Sequence, residues 1–288
     1  MAEELDVVAL RAWEGQQEST QDSIALVHVR EIAATLNWNA PFDNGSALPH
    51  LWHWAFFRPS VNTVDLDKDG HPNRGGFLPP VPLPRRMWAG GRLLFHKPLT
   101  VGKLVQRTST IAKVNAKSGR SGKLVFVTIL HHYVCGGALC VSEEQDIVYR
   151  EAAPRAHASP SSCGGTDNGL AAIEWVDTRV INPALLFRYS AVTFNTHRIH
   201  YDREYAINDE GYSGLVVHGP LAATLMLGSF VEREGARLVK SFAFKGVRPL
   251  IAQDFLTISC ASDRAEAVRL WVADEGGHTT MEGTIALR

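Results

Sequence analysis

The same order of predicted elements occurs twice in this chain of 288 residues, and the repetition limits the folds that the chain can adopt. Each half contains an apolar helical segment, at 48–57 and at 219–234, followed by segments rich in Val, Ile, Leu, Thr and Phe. Two matching series of elements indicate a duplicated unit. The predicted strands lie at 92–97, 103–115, 122–135, 138–150, 237–247, 254–261, 265–274 and 278–287.

A short similarity between the two halves supports the duplication. Phe95 and Phe244 are each followed by a basic residue and then by a Pro-Leu pair, at Pro98 and at Pro249. A long helix laid on a curved antiparallel sheet is the hotdog architecture, and two such sheets joined edge to edge leave fewer strand edges exposed. We therefore expect an α+β double hotdog, in which each of two units has a long helix wrapped by an antiparallel sheet.

Two proline-containing segments interrupt the pattern. Segment 151–169 is rich in Ala, Pro, Ser and Gly and predicts a linker between an N-terminal hotdog at 1–150 and a C-terminal hotdog at 170–288. Segment 70–98 contains six of the 14 prolines. Because proline removes amide donors and fixes φ, we expect this segment to be extended and irregular, neither helix nor central strand. Long segments of that kind are often functional.

Charge and composition exclude several classes of protein. Lys and Arg number 29 against 30 Asp and Glu, which provides no basic field for nucleic acid. No apolar run approaches the ~18 residues of a membrane-spanning helix, and the first residues are acidic where a secretory or mitochondrial leader is basic. The four cysteines form neither a disulfide framework nor two CxxC pairs. We expect a cytoplasmic protein that binds neither nucleic acid nor membrane.

Histidine is the most informative residue type, with 12 copies. The densest polar cluster runs from 195 to 203 and is followed by His218. His197 and His200 have the spacing HxxH, and with His218 they would form a metal site if the three rings converged. A second interpretation is a structural turn whose histidines satisfy buried backbone groups. The third is catalysis.

A family resemblance favours catalysis. The run from Tyr189 to Asp202 resembles the hydratase signature of the MaoC-like family, the R-specific enoyl-CoA hydratases. That signature places an acid/base residue five positions before a catalytic histidine. His200 falls on the histidine, and Asn195 stands where the family usually carries aspartate. Gly219 falls at the start of the family's hotdog helix, where a glycine amide donates to the oxyanion.

A second stretch, from Gly76 to Gly91, is similar to the proline-rich segment of the two-hotdog hydroxyacyl-thioester dehydratases, and within them to the mesaconyl-C4-CoA hydratases. The two matches imply a hydro-lyase that reversibly adds water to an α,β-unsaturated coenzyme A thioester, such as mesaconyl-C4-CoA giving citramalyl-CoA. They imply that the C-terminal half carries the hydratase motif and the N-terminal half forms substrate pocket. They require no metal or other cofactor and are compatible with a homodimer.

The chemistry of these residue types agrees with the resemblance. A histidine with a pKa near neutrality can take a proton from water and return one. A backbone N–H at a helix start is a preformed donor to negative charge, and Gly219 lets the substrate approach it. The Asn195 amide is neither acid nor base at neutral pH, so we expect it to hold the water. Asp202, two residues after His200, either replaces the missing carboxylate or orients the histidine.

Arginines are the expected partners of a free carboxylate on the substrate, because the guanidinium group binds carboxylates bidentately. Arg198 is the first candidate, since it lies in the same turn as His200. Arg86 is the second, and its alternative ligand is a coenzyme A phosphate at the mouth of the pocket. A plain surface position is the other interpretation of Arg86 and its neighbours. The remaining residues assigned to substrate binding are Arg85, Trp88, His218 and Asp202.

Two other functions remain open from the sequence. One is a 3-hydroxyacyl-thioester dehydratase for monocarboxylic acyl chains, which would have an apolar pocket and no need for Arg198 or Arg86. The other is a non-catalytic module that binds acyl thioesters, which the absence of aspartate at position 195 makes plausible. These alternatives predict different substrate preferences, so activity on thioesters with and without a free carboxylate separates them.

Overall fold

Strands dominate the structure, a computed structural model that describes residues 5–73, 75–119, 122–151, 173–235, 238–262 and 267–288. The strands are β1 Gln17–Ser23, β2 Arg85–Phe95, β3 Leu104–Gly119, β4 Gly122–Cys135, β5 Ala138–Arg150, β6 Trp175–Val180, β7 Val239–Gly246, β8 Phe255–Ser262, β9 Ala267–Ala273 and β10 Thr279–Leu287. The helices are α1 Val7–Arg11, α2 Leu26–Leu36, α3 Pro183–Thr193, α4 Arg203–Asn208 and α5 Gly219–Glu234. Short 3₁₀ turns occur at Trp52–Ala55, Thr63–Asp65 and Arg198–His200.

The strands form a single antiparallel sheet whose two halves repeat the same order. Along the sheet the order is β1-β3-β4-β5-β2-β7-β10-β9-β8-β6, so the five strands on each side of the β2–β7 junction follow the same topology. At that junction Gly91 lies opposite Phe244 and Leu93 lies opposite Phe242. The predicted edge-to-edge pairing of two sheets is therefore observed, and it joins the two strands that share the Phe-basic-Pro-Leu pattern.

Helix α5 is the central helix, and its bounds agree with the predicted 219–234. Apolar residues dominate its sequence up to Val231, and Leu221, Met226 and Phe230 are completely buried. A helix that is apolar on most sides is stable only inside the protein, and α5 contacts β2, β8, β9 and β10. Its first residue therefore lies close to the junction strand β2. No helix in the described part of the chain is long and apolar enough to cross a membrane.

The predicted helix at 48–57 is wrong. Only Trp52–Ala55 forms a 3₁₀ turn, because Leu51 and Phe57 have left-handed backbone with φ of 70° and 56°. The assignment of this segment to the core is confirmed, since Trp52 and Phe57 are buried. In the described residues the N-terminal half therefore has no counterpart of α5, and aromatic side chains on irregular backbone fill part of that space.

The prediction that 70–98 contains no central strand is also wrong. The proline run ends at Pro84, and β2 begins at the next residue and pairs with β5 on one side and β7 on the other. Glycine makes this position possible, because a Cβ on Gly90 would lie 2.5 Å from the carbonyl oxygen of Phe244. The predicted linker at 151–169 lies, apart from its first residue, outside the described residues, so the domain boundaries stay a prediction.

Candidate active site

A cavity of about 1170 Å³ is lined by residues of both halves of the chain. Apolar and polar strand residues line much of it, and three further places contribute polar groups: the loop before β2, the start of β2, and the segment between α3 and α5. Those polar residues and the first glycine of α5 are the candidates for chemistry: Asp69, His71, Arg85, Arg86, Asn195, His197, His200 and Gly219.

His200 has the geometry of a base. Its Nδ1 donates to the Val216 carbonyl at 2.7 Å, which leaves Nε2 with the lone pair. None of the described residues hydrogen-bonds to Nε2, and the residue lines the cavity. Burial lowers the pKa of His200 to about 4 against the opposing effect of the Val216 bond, and the charge of His71 adds to the lowering. His200 is therefore neutral at neutral pH and ready to accept a proton.

His218 stacks on the His200 ring. The two rings stack with centroids 3.6 Å apart and planes at 19°, and His218 Nε2 is hydrogen-bonded to Ser190 Oγ at 2.8 Å. Stacked rings do not aim their lone pairs at one point, so the three-histidine metal site considered from the sequence is not formed. His218 is fully buried and is not among the cavity residues, which differs from its predicted contact with substrate.

Asn195 shapes the turn that carries the histidines. It follows Phe194, which ends α3 in left-handed backbone with φ of 54°. The Asn195 side-chain oxygen accepts from the His197 backbone N–H at 3.0 Å, and its own N–H donates to the Ser190 carbonyl at 2.8 Å. Because the oxygen is engaged, the side-chain NH₂ is the group left to contact water in the cavity.

Gly219 places a backbone donor at the cavity. It is the first residue of α5, and the first N–H groups of a helix have no partner inside the helix. A Cβ at this position would meet the Trp88 carbonyl oxygen at 3.9 Å, an ordinary contact. The protein itself therefore tolerates a side chain here, and the space that glycine leaves open is available to a substrate.

Arg198 and Asp202 lie away from the cavity, which corrects two predictions. The Arg198 guanidinium binds Asp202 through Nη2 at 2.7 Å and Nε at 3.1 Å, and it stacks on the Tyr205 ring at 4.1 Å. Asp202 caps α4 by accepting from the Tyr205 N–H at 3.0 Å. The 3₁₀ turn Arg198–His200 rotates successive side chains apart, whereas the sequence prediction assumed the alternation of a strand. Neither residue is therefore placed to contact His200 or a substrate carboxylate in the cavity.

The three predicted residues at the start of β2 do line the cavity. Arg85 forms an ion pair with Glu210 at 3.1 Å, and Trp88 donates from Nε1 to the Gly90 carbonyl at 2.9 Å. Arg86 makes no hydrogen bond or ion pair with any described residue, although its charge contributes to lowering the pKa values of two cavity histidines. The Arg86 guanidinium is thus available to an anionic ligand.

Two cavity residues that the sequence pattern does not point to are Asp69 and His71. Nδ1 of His71 donates to Asp69 Oδ2 at 3.0 Å, and the His71 backbone N–H donates to Oδ1 at 2.8 Å. The His71 ring lies 4.1 Å from the ring of His197. The sequence contains one local signal for this pair, the run Asp69-Gly70-His71 at the start of the segment that we expect to be functional. Its partners are more than a hundred residues away, and local pattern does not reveal them.

Asp69, His71 and His197 bring their ligand atoms within 4.8 Å of one another, a spacing that suits a metal ion. Two observations favour a different use. His71 Nδ1 already donates to Asp69. The charge of Arg86 disfavours positive charge at His71 and His197, where burial is the largest cause of the lowered pKa values. A nearby guanidinium repels a cation, so the arrangement fits proton transfer beside an anion better.

One sheet of two similarly ordered halves, a central helix, and a buried histidine near the first amide of that helix define a double-hotdog protein of the hydratase and dehydratase class. The chain belongs to the hydroxyacyl-thioester dehydratase type 2 family, whose profile matches residues 51–252. This confirms the predicted family resemblance and enzyme class.

Individual relatives agree with this assignment. The chain is 42% identical to the mesaconyl-C(4)-CoA hydratase of Chloroflexus aurantiacus, over 96% of this chain and 97% of that protein. It is 28% identical to the mitochondrial hydroxyacyl-thioester dehydratase type 2 of Schizosaccharomyces pombe, over 88% and 91%.

Solved structures confirm the fold class. A MaoC-like dehydratase superposes with a TM-score of 0.73 at 17% identity, covering 97% of this chain and 99% of that one. A Mycobacterium tuberculosis protein described as a double hotdog gives a TM-score of 0.58 at 12% identity, covering 95% and 96%. At these identities the likeness concerns the fold alone.

Proposed function

We propose that this protein reversibly adds water to the double bond of mesaconyl-C4-CoA to give citramalyl-CoA. The extensive identity to the Chloroflexus aurantiacus hydratase supports the choice of substrate. The observation that carries the proposal is the position of Arg86, a cation at the cavity with no partner among the described residues and with its charge acting on His71 and His197.

The chemistry of the substrate explains why this position matters. In mesaconyl-C4-CoA the free carboxylate is attached to the β-carbon, which is the carbon that water attacks. Its partner must therefore lie beside the group that activates the water. A carboxylate buried without such a partner costs several kcal/mol, and an apolar chain beside an unpaired arginine is penalised in turn. Arg86 lines the same cavity as His200, and its charge acts on the neighbouring His71 and His197, so it replaces Arg198 as the first candidate.

Residues are in place to activate the water and to stabilise the developing charge. His200 Nε2 takes a proton from water as the water oxygen bonds to the β-carbon. Negative charge develops on the thioester oxygen, where the Gly219 N–H at the start of α5 stabilises it. The Asn195 NH₂ group holds the water, and protonation of the α-carbon completes the addition. The thioester carrier is coenzyme A, and the homodimer and the cytoplasmic location stay predictions from the sequence.

A second candidate is dehydration of longer monocarboxylic 3-hydroxyacyl thioesters. The size of the cavity favours it, because about 1170 Å³ exceeds the need of a five-carbon acyl group. Part of its lining is apolar and comes from the strands of the N-terminal half, including Leu124, Ile129 and Ile147. Such a surface suits an acyl tail.

The two candidates are separated by substrate preference and by Arg86→Leu. For the proposed function, wild-type protein prefers mesaconyl-C4-CoA to crotonyl-CoA. Loss of a charge-assisted hydrogen bond is worth ~1.5–3 kcal/mol, so Arg86→Leu is expected to lower kcat/KM roughly ten- to a hundredfold for the dicarboxylic thioester only. Arg92→Leu, on the same strand but half-exposed and paired with Glu144, is the matched control and leaves the preference unchanged. Equal losses on both substrates would contradict the role of Arg86, and a wild-type preference for crotonyl-CoA would favour the dehydratase.

A further inference from the structure

We propose that His71 is a second proton-transfer residue, supplied by the N-terminal half, and that Asp69 is its positioning residue. In this role His71 protonates the α-carbon while His200 deprotonates the water. The inference rests on the proposed function and extends it, because Asn195 stands where the related signature places a carboxylate and cannot exchange protons. The His71–Asp69 pair supplies that missing capacity from a different part of the chain.

Backbone contacts fix the loop that carries His71 against the turn that carries His200. The Asp69 carbonyl accepts from the Arg198 N–H at 2.9 Å, and the Gly70 carbonyl accepts from the Thr196 hydroxyl. Gly70 has φ of 88°, and a Cβ there would overlap the Thr196 carbonyl oxygen. Only glycine permits both the conformation and this approach. The sequence around position 70 is therefore built to bring Asp69 and His71 to the cavity.

The hydrogen-bond partners of His71 and His200 give the two histidines different roles. His71 donates from Nδ1 to a carboxylate, whereas His200 donates from Nδ1 to a neutral carbonyl. A carboxylate stabilises the imidazolium form, and a carbonyl only fixes the tautomer of the neutral ring. Burial raises the pKa of the Asp69 carboxyl, but the hydrogen bonds from His71 outweigh this effect and keep it ionised. His71 is thus the acid and His200 the base.

The charges around the two histidines depend on the substrate. Asp69 and Asp67 face His71 from its own loop, Arg86 from β2 and His197 from the turn after α3. Burial lowers the pKa of His71, Arg86 adds to this effect, and both aspartates oppose it. A substrate carboxylate bound to Arg86 offsets the arginine charge and favours protonated His71.

The environment of His200 does not change in this way. His218 stacks on it, His197 lies edge-on at 5.4 Å, and the charge of His71 disfavours its protonation. Burial and the charge of His71 hold His200 in the neutral form while the substrate is bound. In the proposed reaction the bound carboxylate opposes the lowering of the His71 pKa that burial and Arg86 cause, and the two histidines then start in opposite protonation states.

The step balances in atoms and charge. The water oxygen bonds to the β-carbon, one water proton passes to His200 Nε2, and the π electrons move toward the α-carbon and the thioester oxygen. His71 Nε2 then transfers its proton to the α-carbon. Afterwards His200 is protonated and His71 neutral, so one proton must return from His200 to His71. All three rings of His71, His197 and His200 line the cavity, through which exchange with solvent can restore the two starting protonation states.

The first test is turnover of mesaconyl-C4-CoA by His71→Gln, which keeps a donor for Asp69 but cannot exchange protons. A positioned acid contributes 10²–10⁴-fold, so kcat is expected to fall by about that factor with circular dichroism unchanged. His96→Gln is the matched control: His96 is exposed, contacts Ser142 and is not among the cavity residues, so turnover stays at the wild-type level. His71→Gln turnover within twofold of wild type would overturn the inference.

The second test is the pH dependence of kcat, which does not depend on His71→Gln being well folded. Wild-type protein should lose activity at high pH as His71 deprotonates. Asp69→Asn removes the carboxylate that stabilises the imidazolium, so this loss should move to lower pH. An unchanged alkaline limb would count against a positioning role for Asp69 and against the inference. If wild-type protein hydrates neither mesaconyl-C4-CoA nor crotonyl-CoA, the proposed function fails as well. If wild-type protein is active and the His71→Gln and Asp69→Asn variants behave like it, only the role of His71 is refuted.

Discussion

The imidazole rings of His200 and His218 stack 3.6 Å apart inside the protein, and each uses one nitrogen for a hydrogen bond to a neutral oxygen. Burial lowers the pKa of both, and neither has a carboxylate partner among the described residues. Protonation of one ring therefore introduces a charge that the other ring disfavours. Burial and the charge of His71 keep His200 in its basic form well below the pH at which a free histidine becomes protonated.

The first prediction concerns the acidic side of the pH profile. Because the pKa of His200 is lowered to about 4, kcat/KM should hold as pH falls through 6.5 and decline only near pH 4. The same shift affects stability. The unfolded state binds protons below about pH 6.5 where the folded state does not, so stability should fall between that pH and about 4. Initial rates and melting temperatures at matched pH values check both statements, and a rate decline centred near 6.5 would contradict them.

The second prediction concerns the Gly219 amide. The structure accepts a Cβ here at ordinary contact distance, so Gly219→Ala should leave the melting temperature unchanged or raise it slightly. The methyl group would occupy space that the thioester needs beside the N–H. Loss of one oxyanion donor costs about 10²–10³ in kcat, and we expect a decrease approaching that size. Wild-type turnover in a folded Gly219→Ala protein would remove the oxyanion role.

The third prediction concerns Glu143, which is fully buried in the N-terminal half. It accepts from Trp54 at 2.8 Å and Tyr133 at 3.2 Å, and it forms a buried pair with His53 at 2.9 Å. Removing one member of a buried pair costs about 3–5 kcal/mol, so Glu143→Gln should lower the free energy of unfolding by a similar amount. Glu144→Gln is the control, because Glu144 and its partner Arg92 are about half-exposed, and it should cost less than about 1 kcal/mol.

The sign of the Glu143 effect with pH follows from its pKa. Burial raises this pKa, but the hydrogen bond and charge of His53, the charge of His131 and the bond from Trp54 together lower it. The stabilisation is therefore complete above the unfolded value of about 4.3 and is lost as pH falls through the lower folded value. Urea unfolding below about pH 4.3 should reveal this loss in wild type and not in Glu143→Gln. Parallel curves for the two proteins would contradict the assignment.

Local sequence pattern predicted those parts of the fold that local pattern determines. Helix α5 and the strands β4 and β5 were located to the residue or nearly so, because each has continuous apolar periodicity between clear turns. The segment 48–57 is as apolar as α5, yet the left-handed residues Leu51 and Phe57 break its backbone. Its conformation is set by packing in the N-terminal core, and the sequence of the segment alone does not predict that packing.

Local pattern also indicates some residues of the candidate site and not others. His200, Asn195 and Gly219 were found because they lie in one recognisable run and at the start of one helix. Distance along the chain favours Arg198 over Arg86, whereas the fold places Arg86 and not Arg198 at the cavity. His71 was missed because the contacts that place it join residues more than a hundred positions apart. Only the fold brings the N-terminal loop to the C-terminal histidines.

The most direct test of the account is the hydration rate of mesaconyl-C4-CoA by purified wild-type protein and by His200→Ala, with citramalyl-CoA identified as the product. Wild-type protein should form citramalyl-CoA, and His200→Ala should be slower by about 10²–10⁴-fold at neutral pH with an unchanged circular dichroism spectrum. Near-normal turnover by His200→Ala would contradict the central claim that this histidine activates the water.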